Sequence, residues 1–250
     1  MACCPVFRKN DVRSSSGGRH YEICETMISF PYLICSVLSF VPAIVFHEVA
    51  HGFAAAKLGD PTAKNRGRLS LNPLKHVDPF GTVLMPFLLL ALGGPVFGYA
   101  KPVPYNPSYF KNRRAGEAVV GLAGPAANLA MAMLAGVIAW VCYPSAPALA
   151  AESQLFFYFY ALFLPMFALV NLYLMFFNLI PLPPLDGSSI IALFLNDKQL
   201  MTYYRIQQYA LPIFMVVVVL VPYLFRVNPV GVYLDATAGF LAQLLFPFPI

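Results

Sequence analysis

The chain has 250 residues, of which 59 % are hydrophobic and 11 % are charged, and its formal net charge is +5. Soluble domains carry roughly 25 % charged residues, so these charges are too few to coat a water-facing surface. The composition therefore excludes an ordinary soluble enzyme, a disordered chain and a nucleic-acid-binding protein. It predicts an all-α, polytopic protein that is integral to a lipid bilayer, with the excess positive charge in loops beside the membrane.

The first predicted element is a polar, basic stretch at residues 1–25, which contains a Ser-Ser-Ser-Gly-Gly run. A short apolar segment that ends in a small-residue cleavage site does not follow it. This stretch is therefore predicted to be a disordered tail and not a cleaved signal peptide. Residues 26–250 are predicted to form a single membrane domain.

Uncharged apolar stretches mark the predicted membrane segments, because a helix needs about 20 apolar residues to span. Four stretches are long enough: 26–46 with helical composition to about residue 57, 118–151, 153–185 and 206–225. Residues 79–100 are uncharged but interrupted by prolines and glycines, and basic loops flank them on both sides. Since basic loops prefer the cytoplasm, the simplest topology makes this segment re-entrant, with a full span as the alternative. The apolar residues 236–250 suit an interfacial or re-entrant piece, which gives about four to six membrane segments.

The first predicted span ends in a His-Glu-x-x-His motif. His47 and His51 are four residues apart and share a helical face, where two imidazoles can ligate one zinc ion. Glu48 lies beside them and can accept a proton from a water molecule. Ionisable groups inside an apolar span are energetically costly unless they have a function. The pattern therefore favours a metal site over a helix with two incidental histidines.

A catalytic zinc site needs a third protein ligand and an open position, and Asp186 is the candidate. Prolines before Asp186 break the helix, and Gly187 permits a tight turn behind it. A helix N-cap is an alternative role for Asp186, and the two roles are compatible. If 79–100 re-enters, Asp186 reaches the membrane face that holds His47 and His51. If 79–100 spans, Asp186 emerges on the opposite face.

Three motifs together resemble the site-2 protease family of intramembrane zinc metalloproteases. They are His-Glu-Val-Ala-His-Gly at 47–52, Gly-Pro-Ala-Ala-Asn at 124–128 and Pro-Leu-Pro-Pro-Leu-Asp-Gly at 181–187. Residues 67–73 and 101–104 resemble segments of the short prokaryotic members, and the match covers roughly residues 30–195. PDZ-like and nucleotide-sensing domains are not expected in this chain.

The resemblance implies three core helices and one zinc ion bound by His47, His51 and Asp186. It implies cleavage of membrane-embedded segments of membrane-protein substrates, by a site within the bilayer towards the cytoplasmic side. A prokaryotic inner membrane is the expected location.

Catalytic roles follow from the chemistry of the remaining side chains. Glu48 is the predicted general base, which takes a proton from water and returns it to the leaving amine. Asn128 is predicted to donate a hydrogen bond to the substrate carbonyl or oxyanion, with interhelical packing as an equal alternative. Asn171 and Asn178 either support the metal ligands or are structural amides.

Two loop features complete the sequence predictions. Residues 62–75 are predicted to form a surface strand or hairpin, whose edge pairs with an unwound substrate. His76 is predicted to lie at an interfacial turn, with a fourth-ligand or gating role as the alternative.

Three other functions compete with proteolysis of this type. A prenyl-protein protease would need a downstream glutamate ligand, and Glu117 and Glu152 lie in no suitable motif. A metal-binding membrane transporter usually carries several ionisable groups along a pathway, and here they are concentrated at one place. A catalytically inactive membrane scaffold would be indicated by a missing ligand or base, and none is missing. Proteolysis is favoured.

Overall fold

The computed structural model describes residues 30–78, 101–207 and 227–250, together with 209, 212, 216 and 220–225. Every regular element in this part of the chain is helical, which confirms the predicted all-α class but not the strand or hairpin predicted at 62–75. The helices are α1 (Phe30–Lys57), α2 (Thr62–Asn65), α3 (Arg113–Cys142), α4 (Ala146–Glu152), α5 (Gln154–Asn178), α6 (Gly187–Phe194), α7 (Asp197–Gln207), α8 (Val221–Phe225) and α9 (Pro229–Leu245). Single turns of 3-10 helix lie at Pro73–Lys75 and Pro107–Tyr109.

Three of these helices, α1, α3 and α5, are long and apolar enough to cross a membrane, with 28, 30 and 25 residues. At about 1.5 Å per residue, each exceeds the roughly 30 Å thickness of the hydrocarbon core. They correspond to three of the four predicted spans. The predicted tail at 1–25, the 79–100 segment and nearly half of the 206–225 span lie outside the described residues.

The long helices pack on one another through small side chains, which let helix backbones approach closely. On α3 the fully buried positions include Ala132 and Ala139, and on α5 Ala168 lies opposite them in the same cluster. Helix α9 covers this cluster with Ala238 and Ala242, both fully buried. Large apolar side chains on the outer faces, by contrast, are exposed. The resulting bundle buries small side chains between its helices and presents a hydrocarbon-like surface outward.

The predicted strand or hairpin at 62–75 is wrong, since the structure forms α2 and a 3-10 turn there. Two side chains stabilise these turns by accepting backbone hydrogen bonds from residues two positions later in the chain. Asp60 Oδ1 accepts the Thr62 backbone N–H at 2.9 Å, and Asn72 Oδ1 accepts the Leu74 backbone N–H at 3.0 Å. Such local bonds satisfy the backbone without a neighbouring strand.

Candidate metal centre

Helix α1 places His47 and His51 on one buried face, with exposures of 7 % and 8 %. The Nδ1 atom of His51 lies 2.6 Å from the carbonyl oxygen of Val120. A carbonyl oxygen can only accept, so this Nδ1 carries the proton and Nε2 presents a lone pair. The Nδ1 atom of His47 lies 2.6 Å from Oδ1 of Asn128.

The orientation of the Asn128 amide follows from its other contacts. Its Nδ2 donates to the Ala43 carbonyl oxygen at 3.2 Å and to Asn171 Oδ1 at 2.8 Å. Oδ1 must therefore face His47, so the Nδ1 of His47 also carries a proton. Both imidazoles, when neutral, direct an Nε2 lone pair to the same point.

Asp186 reaches that point from the turn between α5 and α6. A Cβ on the next residue, Gly187, would lie 2.6 Å from the Ile180 carbonyl oxygen and closer still to that of Leu179. Glycine is therefore required for the chain to fold back against the end of α5. Asp186 occupies the residue before α6, but its side chain makes no capping hydrogen bond. The N-cap alternative is thus not realised, and the carboxylate points to the histidines.

Three ligand-type atoms converge at the centre. Asp186 Oδ2 lies 3.1 Å from His47 Nε2 and 3.3 Å from His51 Nε2, and the two Nε2 atoms are 3.0 Å apart. Asp186 Oδ2 is buried and receives no hydrogen bond in the part of the chain that the structure describes. Tetrahedral zinc with bonds of about 2.0–2.1 Å separates its ligand atoms by about 3.3 Å. The spacing of these three atoms therefore suits a single metal ion of the size of zinc.

Helix α3 closes over the centre with glycines. A Cβ on Gly124 would lie 2.5 Å from His51 Nε2 and 2.6 Å from His47 Cε1. A Cβ on Gly121 would lie 3.1 Å from the Asp186 carbonyl oxygen. In the Gly-Pro-x-x-Asn element, Gly124 thus lets the helix approach both imidazoles closely, and Asn128 makes the hydrogen bond to His47.

Glu48 lies beside the centre on α1 and is half-buried. Its Oε2 accepts the backbone N–H of Val103 at 2.9 Å. Its Oε1 makes no hydrogen bond within the described ranges. The sequence indicated Glu48 but gave no sign of its backbone partner.

Known proteins are similar in sequence to most of this chain. A family model described as Peptidase family M50 matches residues 144–221, which contain Asp186. The "Putative zinc metalloprotease YwhC" of Bacillus subtilis is 41 % identical over 162 residues, covering 64 % of this chain and 68 % of that protein. The "Putative zinc metalloprotease Rip2" of Mycolicibacterium smegmatis is 30 % identical over 212 residues, covering 84 % of this chain and 76 % of that protein. The chain belongs to peptidase family M50.

This membership confirms the resemblance to site-2 proteases, which form part of the family. The M50 peptidase is a zinc metalloprotease with membrane-spanning helices. None of the solved structures matches it.

The other predicted site residues of the M50 peptidase occupy different surroundings. Asn128 is fully buried, and both of its amide hydrogens are donated within the helix bundle, so its role towards substrate stays a prediction. Asn171 contacts Asn128, whereas Asn178 donates to the Leu174 carbonyl within its own helix. His76 is buried in a turn, where its Nε2 lies 2.8 Å from the Ser70 carbonyl oxygen.

Among the described residues, the group that can hold a metal contains His47, His51 and Asp186. Neither His76 nor a glutamate is part of it. Glu117 instead pairs with Arg113 at 3.0 Å. The geometry therefore gives no support to a fourth histidine ligand or to the glutamate-completed site of a prenyl-protein protease.

Proposed function

We propose that this M50 peptidase binds one zinc ion through His47, His51 and Asp186 and hydrolyses peptide bonds in or near transmembrane segments of membrane proteins. The observation that carries the proposal is the convergence of two Nε2 lone pairs and one carboxylate oxygen within 3.3 Å of one another. Three such atoms repel one another unless a proton or a metal cation lies between them, and a metal cation can be shared by all three. A zinc ion held by these three residues would supply a Lewis acid for the hydrolysis.

Glu48 acts as the general base and acid. Oε2 is held by a backbone donor, which leaves Oε1 to accept a proton from the attacking water. As the carbon–nitrogen bond breaks, Glu48 returns that proton to the leaving amine. The water oxygen stays on the new carboxyl group, so atoms and charge balance.

Asn128 acts as a positioning residue for His47. Its Oδ1 keeps the proton on Nδ1 and fixes the plane of the ring, so that Nε2 faces Asp186. A direct contact between Asn128 and substrate would require its amide to leave both of its present acceptors. We therefore assign Asn128 to the support of the metal ligand.

The helix lengths support an active site within the bilayer. His47 lies ten residues before the end of α1 at Lys57, which corresponds to about 15 Å of helix. Basic residues follow beyond this end at Lys64, Arg66 and Arg68. Positively charged loops prefer the cytoplasm, so we place the site towards the cytoplasmic side of the membrane. We propose that this membrane is a prokaryotic inner membrane.

The decisive experiment measures zinc content and cleavage together, in detergent, on a panel of helix-destabilised transmembrane peptides. Wild type is compared with Glu48→Gln and with the control Glu152→Gln, which changes an exposed glutamate at the end of α4. We expect about one zinc per chain in all three proteins. We expect cleavage to fall by about 10²–10⁴-fold in Glu48→Gln alone.

Two results would contradict the proposal. A wild-type protein that holds no metal when zinc is supplied would refute the metal centre. Zinc binding without cleavage of any peptide in the panel would favour the transporter or scaffold alternative.

A further inference from the structure

Residues 101–106 run alongside the second half of α1 and contact it at the proposed base. The backbone N–H of Val103 donates to Glu48 Oε2 at 2.9 Å. Pro102 and Pro104 flank Val103, and proline has no backbone N–H. Val103 is therefore the only residue of this Pro-Val-Pro stretch whose backbone can donate to the carboxylate.

Gly52 forms a seat for Val103 on α1. It lies one turn after Glu48 on the same helical face. A Cβ at Gly52 would lie 2.8 Å from Cγ1 of Val103 and 2.7 Å from Cδ2 of Leu69. The missing side chain thus admits Val103, which is only 5 % exposed, and brings its N–H within reach of Glu48.

The segment is fixed on both sides of Val103. Before it, Arg68 Nη2 donates to the carbonyl oxygens of Lys101 at 2.5 Å and Pro102 at 3.3 Å. After it, the Asn106 backbone N–H donates to Oδ2 of the fully buried Asp60 at 2.6 Å. These bonds leave the Val103 peptide little freedom to turn away from α1.

We propose that residues 101–106 form a backbone clamp that positions the Glu48 carboxylate, and that Arg68 is a positioning residue for the base. The clamp rests on the proposed function, in which Glu48 transfers the proton. A glutamate side chain has three rotatable bonds, and a fixed donor at Oε2 restricts them while Oε1 faces the reacting water. Misplacement of a reacting group by about 1 Å costs up to about 10²-fold in rate.

A pair of substitutions at one position separates the backbone donor from the side chain. Val103→Pro removes the N–H, whereas the control Val103→Ala keeps it and shortens the side chain. We expect Val103→Pro to lower kcat by about 10–100-fold, with KM within about twofold and zinc content unchanged. We expect Val103→Ala to stay within about threefold of wild type. Equal kcat values in the two variants would overturn the clamp.

Substitutions at the anchor keep the test decisive if Val103→Pro does not fold. Arg68→Ala is expected to lower kcat by about 10-fold with zinc content and KM unchanged, and Arg68→Lys to restore part of the loss. The matched control is Arg66→Ala, which removes an equal charge from an exposed side chain in the same loop. An Arg68→Ala variant with the kcat of Arg66→Ala would refute the anchor.

Hydrogen exchange gives a readout that needs no substrate. Peptides covering 101–106 contain few amide hydrogens, because two of the six residues are prolines. Glu48→Ala is expected to release about one protected amide there, whereas Glu48→Gln keeps an acceptor oxygen and the protection. Unchanged exchange in Glu48→Ala refutes the clamp alone. If the wild-type protein binds zinc and protects this amide but cleaves none of the peptides, the proposed function is refuted and the clamp is not.

Discussion

At the scale of single residues, the chemistry of the centre depends on where each imidazole keeps its proton. His51 donates to a backbone carbonyl, which every residue type supplies, but His47 depends on the side chain of Asn128. Removal of that acceptor leaves a buried N–H unpaired and allows the ring to turn. The two histidines are therefore expected to differ in their sensitivity to substitutions on α3.

Asn128→Ala is expected to weaken zinc binding by about 10–100-fold, as is usual when the partner of a metal-bound histidine is lost. Asn128→Asp keeps an acceptor oxygen and is expected to retain more of the affinity. The matched control is Asn178→Ala, because the Asn178 amide donates within its own helix, to the Leu174 carbonyl oxygen. Competition with a chromogenic chelator measures the affinities. Wild-type affinity in Asn128→Ala would exclude the positioning role.

At the scale of elements, α3 lies close against the candidate metal centre because it has glycines at two positions there, Gly121 and Gly124. Gly124→Ala would place a methyl group 2.5 Å from His51 Nε2. We expect this variant to bind zinc at least about 10-fold more weakly, since the imidazoles must shift or α3 must retreat. Gly239→Ala is the control, because a Cβ there would meet none of the described residues within 4 Å. Zinc titration compares the two variants, and equal affinity would show that α3 does not press on the histidines.

The connection between α1 and α2 provides a pH-dependent contribution to stability. Burial alone raises the pKa of the Asp60 carboxyl, but hydrogen bonds from Thr62 and Asn106 outweigh it and hold that pKa below its ordinary value. A carboxyl group whose pKa is lower in the folded than in the unfolded protein stabilises the fold at pH values above its unfolded pKa of about 3.9. This contribution to the free energy of unfolding is lost as the pH falls below that value.

Thermal unfolding in detergent tests this dependence. At pH 7, wild type is expected to have a higher melting temperature than the Asp60→Asn variant, which has no titrating group at this position. The difference is expected to narrow as pH falls from about 4 towards 3. A constant difference across this range would show that the Asp60 charge does not contribute.

At the scale of the whole molecule, the sequence predicted the long apolar helices and the grouping of His47, His51 and Asp186. Helical spacing placed the two histidines on one face, and the motif around residue 186 indicated the third ligand. The topology argument depends on whether residues 79–100 re-enter, and these lie outside the described residues. The donor that holds Glu48 was not predictable, since a backbone N–H at Val103 leaves no trace in residue types. The strand prediction at 62–75 failed because the side chains of Asp60 and Asn72 accept nearby backbone N–H groups, and these local hydrogen bonds favour turns over an extended edge strand.

The metal centre also joins distant parts of the chain, since its histidines lie on α1 and Asp186 lies between α5 and α6. An ion that binds only the folded protein stabilises it by about 4 kcal/mol when its free concentration is about 1,000 times Kd. For a chain of this size, that corresponds to a change in melting temperature on the order of 10 °C. Chelation of zinc is therefore expected to lower the melting temperature of wild type by this amount and that of Asp186→Ala much less. If zinc leaves wild type without any change in melting temperature, the centre does not hold these helices together.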